Sequence, residues 1–282
     1  MNLFALLRRG ALAVAAAATL VGAGMSSASA ITDGTPDGTG HPHVALMVAK
    51  DTDGSPMWRC SGTFISPTVY LTAGHCTSGA TRADIYLSSG PIPLSQGFID
   101  AGRKCAAGVN GYPCSGDASG VAHTHPDFSD ANFTLRDVGV VVLDAPVTLS
   151  SYGTLPKLNV LDAYKTERGQ NPLTFTAVGY GLQKSFPDAA AWKDQSTRIR
   201  MVAHPKLNQI NTGMVGDFAL LLSNNAKTGG TCFGDSGGPN FIGSSNVVGG
   251  VTSFGINSNC AGTGGVFRMD RSWALNWVKS FL

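Results

Sequence analysis

The chain has 282 residues carrying 20 basic and 18 acidic side chains, a formal net charge of +2, and charged residues make up only 13% of it. Near-neutrality without any Lys/Arg cluster argues against nucleic acid or an anionic membrane as a partner. Thirty-six glycines are too many for a mainly helical protein.

Residues 1–30 read as an export signal. Asn2 to Arg9 ends in two arginines, Gly10 to Gly24 is an Ala/Leu/Val run, and Ala28-Ser29-Ala30 is a small-residue cleavage site. The apolar run is shorter than the ~20 residues that cross a bilayer, so a secreted protein with no membrane attachment after signal removal is expected. Losing Arg8 and Arg9 leaves 18 basic against 18 acidic side chains in the remaining 252 residues. That length fits one all-β domain or two small ones.

Downstream, short β-rich runs alternate with Gly, Pro, Ser and Asp: 44–48, 62–65, 69–72, 138–143, 173–178 and 247–252. Proline- and glycine-rich joints between Ala145 and Pro156 separate two halves, 31–150 and 151–282, the first holding His75 and Asp137 and the second Ser236. One helix is expected, from Ser272 as cap to Leu282, with Trp273, Trp277, Val278 and Phe281 on one apolar face. His41 and His43, flanking Pro42, fit a loop better than a surface metal site.

All six cysteines follow the signal, and an even number in an exported chain points to disulfides. Cys105 and Cys114 bracket a short Gly/Pro/Asn loop, a staple worth ~2.5–3 kcal/mol if unstrained. Cys60, His75 and Cys76 make a poor metal site because the second cysteine pair, Cys232 and Cys260, lacks close zinc-type spacing. No metal and no cofactor is expected.

Gly234-Asp235-Ser236-Gly237-Gly238 mounts a serine in a tight glycine turn whose backbone amides can face an oxyanion. A serine needs an imidazole base and a buried carboxylate to orient it. His75, in Leu71-Thr72-Ala73-Gly74-His75-Cys76, and Asp137, ahead of Val138-Gly139-Val140-Val141-Val142-Leu143, are the candidates.

These motifs resemble those of the chymotrypsin-like, trypsin-fold serine endopeptidases over nearly all of the mature length, in the manner of a bacterial secreted member. Thr72 to Cys76 is similar to the histidine motif, with Gly74 for the commoner alanine. Asp137 to Leu143 with Pro146-Val147 resembles the aspartate strand, and Gly234 to Pro239 the serine motif. Ser253-Phe254-Gly255 resembles the substrate-pairing strand, with Phe254 for the commoner tryptophan. The resemblance implies two six-stranded antiparallel β-barrels around a cleft, with a C-terminal α-helix. It implies disulfides Cys60–Cys76 and Cys232–Cys260, and His75 as base, Asp137 as its orienter and Ser236 as nucleophile. The Gly234 and Ser236 amides become the oxyanion hole. An Ile31 amino terminus, freed by signal removal, is implied as ion-pair partner of Asp235.

By the same resemblance the specificity pocket has Gly230 at its floor, Gly255 and Gly265 on its walls, and Thr231 and Phe233 at its border. Three glycines and no acid disfavour a Lys/Arg preference and suggest room for Phe, Tyr, Leu or Met, although Asp188 or Asp217 could enter from a neighbouring loop. A monomer acting on protein or peptide substrates is expected. The rival reading is a catalytically silent binding or adhesin-like protein on the protease fold.

Overall fold

A computed structural model describes residues 31–92, 108–109, 112–113, 116–132, 135–165, 173–184 and 196–282. The export signal, Cys105, Cys114 and Asp188 lie outside the described residues.

After a two-residue strand β1 (Thr35–Pro36) the chain forms β2 (Val44–Lys50), β3 (Pro56–Phe64), β4 (Val69–Thr72), a one-turn helix α1 (Gly74–Thr77) and β5 (Arg82–Tyr86). A minimal hairpin, β6 (Gly108–Val109) and β7 (Tyr112–Pro113), precedes β8 (Ala118–Thr124) and β9 (Gly139–Leu143). Six of these strands close an antiparallel barrel in the order β2-β3-β4-β9-β8-β5. Val44 to Ala49 is an unbroken apolar run because both its faces are covered, one by the barrel interior and one by the neighbouring sheet.

The second half supplies β10 (Phe175–Gly179), β11 (Met201–Ala203), β12 (Leu207–Ile210), β13 (Ala219–Asn224), β14 (Pro239–Ile242), β15 (Val248–Gly255) and β16 (Gly262–Arg268). They join one sheet of eight strands, ordered β1-β11-β10-β14-β15-β16-β13-β12. The sheet curls into a half-barrel. Its β12 end approaches the start of β10, an inner strand, at a single bridge, Thr174 to Lys206, flanked by hydrogen bonds from Leu207 N to Leu173 O and Phe175 N to Pro205 O, each 2.8 Å. Leu161, Phe175, Leu207, Ile210, Leu220, Leu222 and Val266 fill its interior.

The fold is thus all-β with one terminal helix, α2 (Ser272–Lys279). The cap position falls on Arg271, with no side-chain cap bond, and not on Ser272. Ala274, Leu275 and Val278 are buried, and the larger rings lie along the flank. That flank reaches the first barrel: Trp277 packs on His125 and Phe281 on His123, with ring centroids 5.2 and 5.1 Å apart.

The two ends of the chain therefore cross over. The helix leans on the first barrel, while β1 pairs Thr35 with Val202 and Pro36 with Met201 on the edge of the second sheet. A buried ion pair fixes this crossing, because Arg200 Nε donates to Asp37 Oδ2 at 2.8 Å and its Nη2 to Gly38 O at 2.7 Å. His43 belongs to the same crossing and is fully buried between Ser151 and Phe241, so it is no surface loop residue.

Candidate active site

α1 presses on the start of β9. A Cβ on Gly139 would fall 2.4 Å from Thr77 Oγ1 and 2.6 Å from Ala73 O, so only glycine lets the helix approach this closely. Gly74 has a similar cause, with a Cβ there coming within 3.0 Å of the Phe128 ring and of Val138 N. This contact brings His75 onto Asp137, two residues before β9.

Asp137 is fully buried and is met by three donors. The His75 amide donates to Oδ1 at 2.8 Å, the His75 ring places Nδ1 2.9 Å from Oδ2, and the Ser253 hydroxyl donates to Oδ2. A carboxylate only accepts, so the shared proton belongs to Nδ1 and Nε2 is left as the ring's basic nitrogen. The Ser253 contact was not legible as such, since the sequence assigns that residue to substrate pairing. It ties the last residues of β15 in the eight-stranded sheet to a carboxylate that precedes β9 of the barrel.

The serine turn is held from both units. Gly237 has φ +76°, and a Cβ there would strike Thr72 Oγ1 at 2.0 Å. Ser61 of β3 receives the turn: its amide donates to Ser236 O at 2.8 Å, its hydroxyl donates to Gly234 O at 2.9 Å, and the Ser61 Oγ itself accepts from Tyr180 N. Gly234 sits at φ +94°. With its carbonyl engaged by Ser61, the amides of Gly234 and Ser236 have no acceptor among the described residues. Two free donors flanking a serine hydroxyl are what a developing oxyanion needs.

Asp235 points the other way, into the protein, and is fully buried. Its oxygens accept from Gly181 N at 2.8 Å and Cys232 N at 2.9 Å. Burial pushes its carboxyl up to about 7, against the pull of these two amides and of Arg59. Gly179 and Gly181 make the space, since a Cβ on either would collide with the carboxylate. Ile31 is likewise fully buried and packs on Ala177, two residues along β10 from Gly179, while Thr32 bridges to Gly230.

Two cavities meet at Ser236, the one residue common to both linings. The first, about 210 Å³, is lined by Thr231, Cys232, Phe233, Thr252 to Gly255, Asn257 and Cys260. None of these is charged, and Asp217 is not among them. Gly230 and Gly265 lie outside this lining. A Cβ on Gly230 would strike the Asn224 side chain at 2.2 Å, and one on Gly265 would enter the Phe254 ring at 2.4 Å, so their glycine character admits neighbouring side chains and not a ligand. The second cavity, about 470 Å³, holds His75 together with Trp58, Arg59, Cys60, Ser78 and Asp130. Sequence reasoning overlooked Trp58 and Arg59, which carry no motif beyond adjacency to Cys60.

The disulfides Cys60–Cys76 and Cys232–Cys260 are formed, with Cα atoms 6.1 and 5.4 Å apart. Sulfur atoms bonded to each other offer no thiolate, which disqualifies the cluster of Cys60, His75 and Cys76 as a metal site in this state.

The family model described as Trypsin matches residues 33–278. Brachyurin from Leptuca pugilator is 27% identical, the match covering 85% of this chain and 92% of that protein. A trypsin from Saccharopolyspora erythraea is 28% identical, covering 80% of this chain and 87% of its own length. Among solved structures, HL collagenase superposes with a TM-score of 0.63 at 20% identity, covering 89% of this chain and 97% of that one. Human heparin binding protein has the same fold at a TM-score of 0.56 and 15% identity, covering 85% and 90%.

Proposed function

The chain belongs to the trypsin family, and from that premise we propose that it is a secreted serine endopeptidase of a bacterium, cutting peptide bonds through His75, Asp137 and Ser236. Ser236 attacks the scissile carbonyl while His75 Nε2 takes its proton and passes it to the leaving amine. Asp137 holds the imidazole tautomer. The Gly234 and Ser236 amides receive the oxyanion. The observation that carries this reading is that His75, held from behind by the buried Asp137, lines one cavity with Ser236, beside two amides that lack internal acceptors among the described residues.

Export is supported by the signal-like first thirty residues and by the disulfides. No helix among the described residues is long and apolar enough to cross a membrane. The acyl side of the substrate occupies the uncharged cavity beside Phe254, which favours an apolar residue before the cut. Because Phe254 covers Gly265 and Asn224 meets Gly230, Leu and Met are favoured over Phe and Tyr.

Activation follows from the same chemistry. Cleavage after Ala30 frees the Ile31 amine as a cationic partner for Asp235, whose burial without one is costly. N-terminal sequencing of the secreted protein should begin at Ile31.

The deciding experiment is labelling with a fluorophosphonate. The mature protein should be modified at Ser236, Ser236→Ala should abolish modification, and resistance of the wild type at neutral pH would leave a silent binding protein on the protease fold as the better reading.

A further inference from the structure

Arg59 stands on the wall of the larger cavity, with no carboxylate at ion-pair distance among the described residues. Its position is nonetheless fixed. Nη1 donates to Tyr180 O at 3.2 Å and to Ser196 Oγ at 3.3 Å, which leaves the opposite edge of the guanidinium uncommitted. That group faces the oxyanion turn: Cζ and Nη2 lie 3.4 Å from where a Cβ on Gly234 would sit. The wall around it is equally firm, since Trp58 Nε1 donates to Cys76 O at 2.9 Å and Cys60 is bonded to Cys76.

We propose that Arg59 makes this cleft select substrates with a Glu or Asp side chain in the leaving segment, within two residues of the cut. The inference rests on the proteolytic reading, in which the acyl part lies in the uncharged cavity and the departing segment in the one lined by His75, Arg59 and Asp130. A planar guanidinium held on one edge offers its remaining donors to a carboxylate in fork geometry, with little further ordering to do. Asp130 carries the opposite charge but is exposed, so solvent weakens it and leaves it the minor influence. Side chains of an extended segment alternate in direction, which lets one of two successive positions face Arg59 while the other faces away.

The test uses the mature protein with Ser236→Ala and fluorescent octapeptides that differ only in Glu, Gln or Lys at the first or second position after the preferred residue. At one of these positions Glu should bind about three- to tenfold more tightly than Gln, with Lys weakest. Arg59→Gln should bring the Glu/Gln ratio close to one, Arg59→Glu should favour Lys, and Asp130→Asn should enlarge the Glu preference. Should Arg59→Gln fold poorly, Arg59→Lys keeps the charge and should retain part of the ratio.

If Arg59 serves only to steady the serine turn, Arg59→Gln weakens every peptide alike with the ratio intact, and the proposal falls. It falls also if wild-type discrimination is absent at both positions or if no peptide binds. Binding does not need catalysis, so the two readings separate. Glu preference without fluorophosphonate labelling removes the protease and keeps the anion site, whereas labelling and cleavage without preference does the reverse.

Discussion

Two carboxylates are fully buried on either side of the cleft, and their surroundings differ. Asp137 receives the His75 amide, the His75 ring and the Ser253 hydroxyl, donors drawn from both β-units. Asp235 receives two backbone amides from its own half of the chain and has no cation at contact distance among the described residues. The first is a finished site. The second is a socket, made by Gly179 and Gly181 and adjoining the strand that packs on Ile31. One chain thus carries a complete His–carboxylate pair and a serine turn whose buried acid has no cation at contact distance among the described residues.

The largest test of this contrast is Asp137→Asn. Its amide group must face at least one of three donors, so the imidazole loses its enforced tautomer, and kcat for a peptide substrate should fall about 10⁴-fold, as in the type case of such triads. Circular dichroism should be unaltered. A fall of less than tenfold would mean that Asp137 is not the orienting acid.

Next comes Asp235. A protein starting at Ile31 should outpace one carrying an extra residue ahead of Ile31 by about 10²–10³-fold in kcat/KM, the cost of a missing oxyanion donor. Equal rates would sever Ile31 from activation.

Stability against pH offers a finer discrimination. With the Asp235 value raised from 3.8 to about 7, the folded chain holds the proton more tightly than the unfolded one. Its stabilising contribution is complete below about 4 and disappears as pH climbs through about 7. His43 acts in the opposite sense. Burial, with the charges of His41 and Arg200, lowers it to about 4 from an ordinary 6.5, so its contribution is present above 6.5 and is lost as pH falls through about 4. The two limbs oppose each other in the uncut chain. Urea unfolding of His43→Leu should expose the Asp235 limb by removing an acid-side loss on the order of 3 kcal/mol, and a free Ile31 amine should then flatten what remains. A His43→Leu profile that still declines between pH 6.5 and about 4, above the range in which Asp37 and Asp162 lose their own stabilising charge, would refute the assignment.

The smallest effect belongs to Ser253→Ala. It removes one of three donors to Asp137, which should lower kcat about tenfold with KM little changed, on the scale of one hydrogen bond to a charged group.

What the sequence made legible follows from how locally each feature is determined. His75, Asp137 and Ser236 stand in short motifs whose glycines and apolar neighbours serve their immediate geometry, so the residues could be named before any coordinates. The strands at 44–48, 69–72 and 138–143 were readable for the same reason. Partners chosen across the fold were not. Nothing near Phe254 says that its ring covers Gly265, nor does Asn224 advertise that it meets Gly230, and the pocket consequently looked roomier in sequence than it is. Arg59 and Ser61 are ordinary strand residues until β3 is set against the serine turn. The edge of the second sheet was equally hidden, because its outermost strand comes from Thr35 and Pro36, far from the rest of that sheet in sequence.

That outermost strand has a consequence for self-association. A sheet ending in bare backbone donors invites a second molecule to dock alongside and then a third, the route to fibrous deposits. Pro36 sits on this border with no N–H to offer, and the strand spans only two residues. The protein is thereby shielded from stacking on itself along this border, at whatever concentration it accumulates.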